Sequence, residues 1–126
     1  MTFDSTLGGS EANSYAPVAS ADAYATQRWW GATWAALTES NKEIALMSAT
    51  QGMETISWNG IRCHPSKDDA EKPQALSWPR SGVECDLVAA TCAAIPQAIL
   101  NATYELAYQL SQNPSALQPG GGGGGA

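Results

Sequence analysis

Between Glu39 and Ser57 the apolar residues Leu46, Ala49, Met53 and Ile56 recur at intervals of three and four. That spacing puts them on one side of an α-helix and predicts a helix over 39–57 with a single buried stripe. Thr38 or Ser40 can cap it, and Ser40 with Glu43 has the spacing of a reciprocal capping box. Gly52 inside the stripe costs about 1 kcal/mol relative to alanine, so it marks either the close approach of a neighbouring helix or a bend. Asn59-Gly60 is a turn signal that ends the element.

A second periodic run holds Ile99, Thr103, Leu106, Ala107 and Leu110 on one side. Pro96 suits its first position, where a missing N–H costs nothing, and the run ends before Pro114. A shorter helix is predicted from Ala21 to about Trp30, with Ser20 as its N-cap, Asp22 near the positive end of the dipole and Gly31 as its stop. Tyr24 and Arg28 fall four apart on one of its faces. Residues 63–75 are polar and bracketed by Pro65 and Pro73, which reads as a loop. Residues 76–80 are too short for a helix and contain Pro79, and 81–94 are irregular with a short strand or turn at Val83 to Val88. Residues 1–19 mix Gly, Ser, Asn and Pro17 without period and are expected to form an extended arm. Residues 113–126 end in six glycines and one alanine, a tail expected to be flexible in isolation. The expected fold is mainly α: a helical domain of three or four helices over 20–112, flanked by the arm and the tail.

Composition changes this picture only in part. The chain has 126 residues, enough for one domain, with 44% apolar and 14% charged positions. Six basic residues stand against twelve acidic ones, a net charge of −6. Nucleic-acid binding usually rests on a basic stripe that neutralises phosphate. Here Arg28, Lys42, Arg62, Lys67, Lys72 and Arg80 are scattered, several beside Glu43, Asp68, Asp69 or Glu71. No stretch approaches the roughly 20 apolar residues of a membrane span. The first residues lack signal-peptide features, so synthesis and retention in the cytosol are expected.

Enzymatic chemistry finds few parts. His64 is the sole histidine, which leaves no spare member for a nucleophilic triad or a zinc set. Cys63, His64, Cys85 and Cys92 have spacings that match no usual zinc pattern, so free, partly buried thiols are expected instead. No glycine loop precedes a helix in the manner of a phosphate cradle. No catalytic residue, cofactor or metal is expected.

Five tryptophans, Trp29, Trp30, Trp34, Trp58 and Trp78, are many for a domain of this size. They could act as stacking platforms for bases, but such surfaces come with a basic groove. Without one, they are expected to be core and interface anchors. In Trp78-Pro79-Arg80 the proline fixes the backbone and biases Ser77 and Trp78 toward extended geometry. Trp78 would wedge into the helices while Arg80 finds a carboxylate or a helix C-terminus. Trp29, Trp30, Trp58, Trp78, Pro79 and Arg80 are therefore expected to staple the fold or its interfaces.

Three strings identify a likeness: Asn13-Ser14-Tyr15 followed by Ser20-Ala21-Asp22-Ala23-Tyr24, then Leu76-Ser77-Trp78-Pro79-Arg80, then Ile95-Pro96. In this order the chain resembles, across residues 8–112, small tailed-phage proteins known under two descriptions. One is a DnaT-like single-stranded-DNA-binding protein and the other a head–tail connector, or adaptor. The connector likeness implies a ring of about twelve copies beneath the portal, with DNA passing unbound through the lumen. A C-terminal segment would grip the portal protein, here Gln112, Asn113, Pro114, Leu117 and Pro119. The opposite face would receive a tail-completion, stopper or tail protein, and the location would be the virion neck after assembly in the bacterial cytoplasm. The acidic balance favours a passage for DNA; the DNA-binding replication accessory stands as the alternative.

Overall fold

The computed structural model describes residues 2–63, 74–85 and 88–113. Among these described residues four helices follow in order: α1 (Val18–Ala25), α2 (Gly31–Ala35), α3 (Glu39–Met53) and α4 (Gln97–Gln112). Among the described residues between α3 and α4 lie four strands of two residues each. β1 (Ile61–Arg62) pairs antiparallel with β2 (Arg80–Ser81), and β3 (Glu84–Cys85) with β4 (Val88–Ala89). The expected mainly helical class is the one observed.

The two long helices keep their predicted stripes. Leu46, Ala49 and Met53 of α3 are buried, as are Ile99, Thr103, Ala107 and Leu110 of α4. Met53 shares a core with Ile99, whereas Leu37, just before α3, shares a groove with Leu110. The helices therefore run antiparallel. Of the two candidate caps of α3 one is used, and the helix ends differ from expectation in two further respects. Thr38 is the cap of α3, its Oγ1 accepting from the Asn41 N–H at 3.1 Å, while Ser40 lies inside the helix. The helix stops at Met53, so Ile56 falls beyond it and is exposed. Pro96 is the residue before α4, not its first.

The N-terminal third departs further. α1 begins at Val18 after Pro17 and ends at Ala25, so Ser20 is a helical residue and caps nothing. Gly31 opens α2 where it was expected to close α1. A turn connects the two: the Arg28 N–H donates to the Ala25 carbonyl and the Gly31 N–H to the Arg28 carbonyl, both at 3.0 Å. A Cβ at Gly31 would run into the Ala25 carbonyl oxygen, which is why the position lacks a side chain.

The segment before α1 is irregular, as its composition predicts, yet Ala12, Ser14, Tyr15 and Ala16 are buried. Asn13 clasps it into a loop. Its Oδ1 accepts from the Asp4 N–H at 2.8 Å, and its Nδ2 donates to the Thr2 carbonyl at 2.8 Å. The Tyr15 N–H then donates to Thr50 Oγ1 of α3 at 3.1 Å. An aperiodic stretch has thus become part of the core, because its polar backbone finds partners as Tyr15 and Ala16 go in.

Two cores result. The larger joins Ala16, α1, Trp30, Trp34, Ala45, Leu46 and Ala49 to Tyr104, Ala107 and Leu110. The smaller holds Tyr15, Met53, Trp78, Ala90, Ile95 and Ile99. Cys63 and Cys92 form a disulfide. This corrects the expectation of unpaired thiols: an odd count of three says that one cysteine is left over, not that the other two stay apart.

Candidate functional site

Trp78-Pro79-Arg80 lies between the smaller core and the Asn59-Gly60 turn, and the arginine has partners other than those expected. Trp78 is 2% exposed, sits edge-on to Trp58 at 5.4 Å between ring centroids, and belongs to the smaller core. The Trp78–Pro79 peptide is cis. Among the described residues Arg80 reaches neither a carboxylate nor a helix end. Its Nε donates to the Asn59 carbonyl at 2.9 Å, Nη1 to Ser77 at 3.1 Å, and Nη2 to Gly60 at 3.0 Å and Trp58 at 3.3 Å. A planar guanidinium suits several carbonyls converging in one turn, where a lysine could not hold the same fork. Gly60 has φ of +86°, and a Cβ there would meet the Ser81 carbonyl, so the predicted Asn59-Gly60 turn is shaped to receive this arginine.

Beneath the staple lies a carboxylate that sequence reasoning missed. Glu54, just past α3, accepts from the Tyr15 hydroxyl, from the Ser77 N–H at 2.7 Å and from Ser77 Oγ at 3.0 Å. Burial, and then the hydrogen bond to Glu54, push the Tyr15 phenol far above its ordinary value. The glutamate joins the N-terminal segment, α3 and the staple through three donors. Tyr15 and Ser77 both lie in the strings that carried the family likeness; nothing in the sequence pointed to Glu54.

An aromatic face spans α1, the 26–30 turn and α4. Trp30 stacks on Tyr108 at 4.5 Å, and Trp29 meets the same ring edge-on at 6.2 Å. Trp30 and Trp34 are buried, whereas Trp29 is 84% exposed. The Tyr24 hydroxyl donates to Glu105 Oε2 at 2.6 Å, and Arg28 Nε pairs with the same oxygen at 2.9 Å. Desolvation first, then Glu105, raises the Tyr24 phenol. Asp22, expected to serve the dipole of α1, instead accepts from Trp34 Nε1 at 2.9 Å and pairs with Lys42 at 3.1 Å. Arg28, Lys42 and Arg80 therefore each hold a carboxylate or a set of carbonyls. Among the described side chains no basic groove forms.

The predicted staple residues Trp58, Trp78, Pro79 and Arg80 come together, while Trp29 and Trp30 lie in the other region, around Tyr108. Of the expected portal-binding set, Gln112 ends α4 and Asn113 follows it, both exposed. Pro114, Leu117 and Pro119 lie outside the described residues, as does His64. Among the described residues no group of histidine, cysteine or carboxylate side chains is arranged to hold a metal, and no helix is long and apolar enough to cross a membrane.

Residues 1–122 match the model of the family described as "Putative DnaT-like ssDNA binding protein". No curated protein and no solved structure matches the chain.

Proposed function

The chain belongs to the family of DnaT-like single-stranded-DNA-binding proteins, and within it we propose that this member is a non-enzymatic structural subunit, a head–tail connector of a tailed phage. In this reading copies of the chain close into a ring, about twelve, between the portal protein and a tail-completion, stopper or tail protein. DNA passes through the lumen without being held. The neck of the virion is its location, after assembly in the bacterial cytoplasm.

The observation that carries the reading is the disposition of charge. A net −6 combines with three described cations already tied to acceptors. Non-specific DNA affinity comes mostly from phosphate neutralisation, and this surface offers little of it. A closed ring is built from head-to-tail contacts between different patches. Trp29, exposed and braced against Tyr108, is the kind of aromatic anchor that centres such a contact.

The description of the family favours a second reading, a single-stranded-DNA-binding replication accessory. Arg28 stands over the half-exposed Tyr24 ring at 5.6 Å, with exposed Trp29 next to it in the chain, so the described surface there offers rings for a base near a cation. The two readings separate in one pair of measurements. Electron microscopy of the chain mixed with portal protein is expected to show a symmetric ring docked on the portal. Tryptophan-quenching titration with an oligothymidylate at low salt is expected to show no binding. Saturable quenching without a ring establishes the second reading and removes the first.

A further inference from the structure

We propose that the Cys63–Cys92 bond is a redox-controlled clamp on the strand-rich half of the molecule, open while the chain is in a reducing compartment and closed once it is outside one. The chemistry stands independently of the connector reading.

Regular secondary structure holds the half it spans only weakly. The four described strands there are two residues long, and isolated two-stranded ladders are marginal in water. Cys63 directly follows β1, and its N–H donates to the Pro79 carbonyl at 3.1 Å. Cys92 lies between Thr91 and Ala94, which form an isolated antiparallel bridge just ahead of buried Ile95 and the start of α4. The bond thus joins the Trp78 staple to the root of α4, across 29 residues of chain. A cross-link of that span removes considerable freedom from the unfolded chain. Without it, the junction rests on the packing of Trp78 and Ile95 and on the hydrogen bonds made by Arg80 and Glu54.

Access suits exchange. Cys92 is exposed and Cys63 partly so, so a dissolved thiol or disulfide can reach the pair. Glutathione and thioredoxin keep such pairs reduced in a cytosol. Closure with oxidised glutathione balances in two steps. The Cys92 thiolate attacks the glutathione disulfide, forming a mixed disulfide and expelling one glutathione thiolate. The Cys63 thiolate then displaces the second glutathione, forming the protein disulfide. The protein loses two electrons and two protons overall, and two molecules of reduced glutathione leave.

The test uses the full chain with its third thiol, Cys85, as an internal count. After equilibration with oxidised glutathione, alkylation and peptide mapping should label one cysteine, Cys85; after dithiothreitol they should label three. The melting temperature should fall by roughly 10 °C on reduction. Cys63→Ser should melt near the reduced value whether or not reductant is present. Three labelled cysteines after oxidation, a bond mapped to Cys85, or equal melting temperatures in the two states would overturn the proposal. If Cys63→Ser does not fold, the wild-type comparison with and without reductant decides alone. Ring formation and DNA binding are read separately, so the clamp can fail while either functional reading stands.

Discussion

Trp78 is buried among Tyr15, Met53, Ile95 and Ile99, yet its indole Nε1 has no acceptor among the described residues. Among the described residues the ring contributes bulk and no hydrogen bond. Trp78→Ala should therefore cost about 3–5 kcal/mol, the range for emptying a large aromatic site. Trp78→Phe should cost far less, since it removes an unsatisfied donor along with part of the volume. Urea denaturation of both variants checks this, and equal losses would mean the indole nitrogen has a partner after all. Tyr15 gives a second residue-scale expectation. Its phenol is raised by burial and by Glu54, and burial also raises Tyr24 and Tyr104. The unfolded chain releases these protons near pH 10, while the folded chain still binds them. Stability from this source is complete below about pH 10 and declines as pH climbs above it. Near-ultraviolet phenolate absorbance should lag in the folded protein and rise with unfolding, and Tyr15→Phe should flatten the alkaline slope.

At the scale of elements, the long helices were legible because each buries one stripe. Leu46, Ala49 and Met53, or Ile99, Thr103 and Ala107, announce a face before any partner is known. The Asn59-Gly60 turn was legible too, since its backbone demands are local, whereas the carbonyls that receive Arg80 were not. Gly31 was not. A glycine after a helical run reads as a stop, but here the controlling fact is the Ala25 carbonyl lying against it, a product of the turn between α1 and α2. Residues 12–16 were equally opaque, because aperiodic chain goes into a core only when a neighbour such as Thr50 or Glu54 takes its polar groups. Neither the acceptor of the Tyr15 hydroxyl nor the pairing of Cys63 with Cys92 leaves a trace in spacing. Gly31→Ala tests the point. Helix propensity alone would make it stabilising by about 1 kcal/mol. The collision with Ala25 should reverse that sign, for a loss of about 1–3 kcal/mol. A raised denaturation midpoint would show that the turn yields freely.

For the whole molecule, the sign of the salt dependence distinguishes a ring subunit from a DNA binder. Copies at −6 each repel one another, and dissolved salt screens that repulsion over about 10 Å at 0.1 M. Association through an apolar anchor such as Trp29 should therefore strengthen as salt rises. Binding to single-stranded DNA has the opposite slope, because each neutralised phosphate releases a counterion whose return is favoured by salt. Sedimentation velocity between about 50 and 500 mM sodium chloride should show larger species at the higher concentration. Trp29→Ala should abolish that gain while leaving the melting temperature nearly unchanged, since the ring is 84% exposed in the single chain. A variant that assembles as well as the wild type would move the interface away from the aromatic face. Assembly that weakens with salt would mean that ion pairs, not apolar burial, hold the copies together, and the role given to Trp29 would have to be withdrawn.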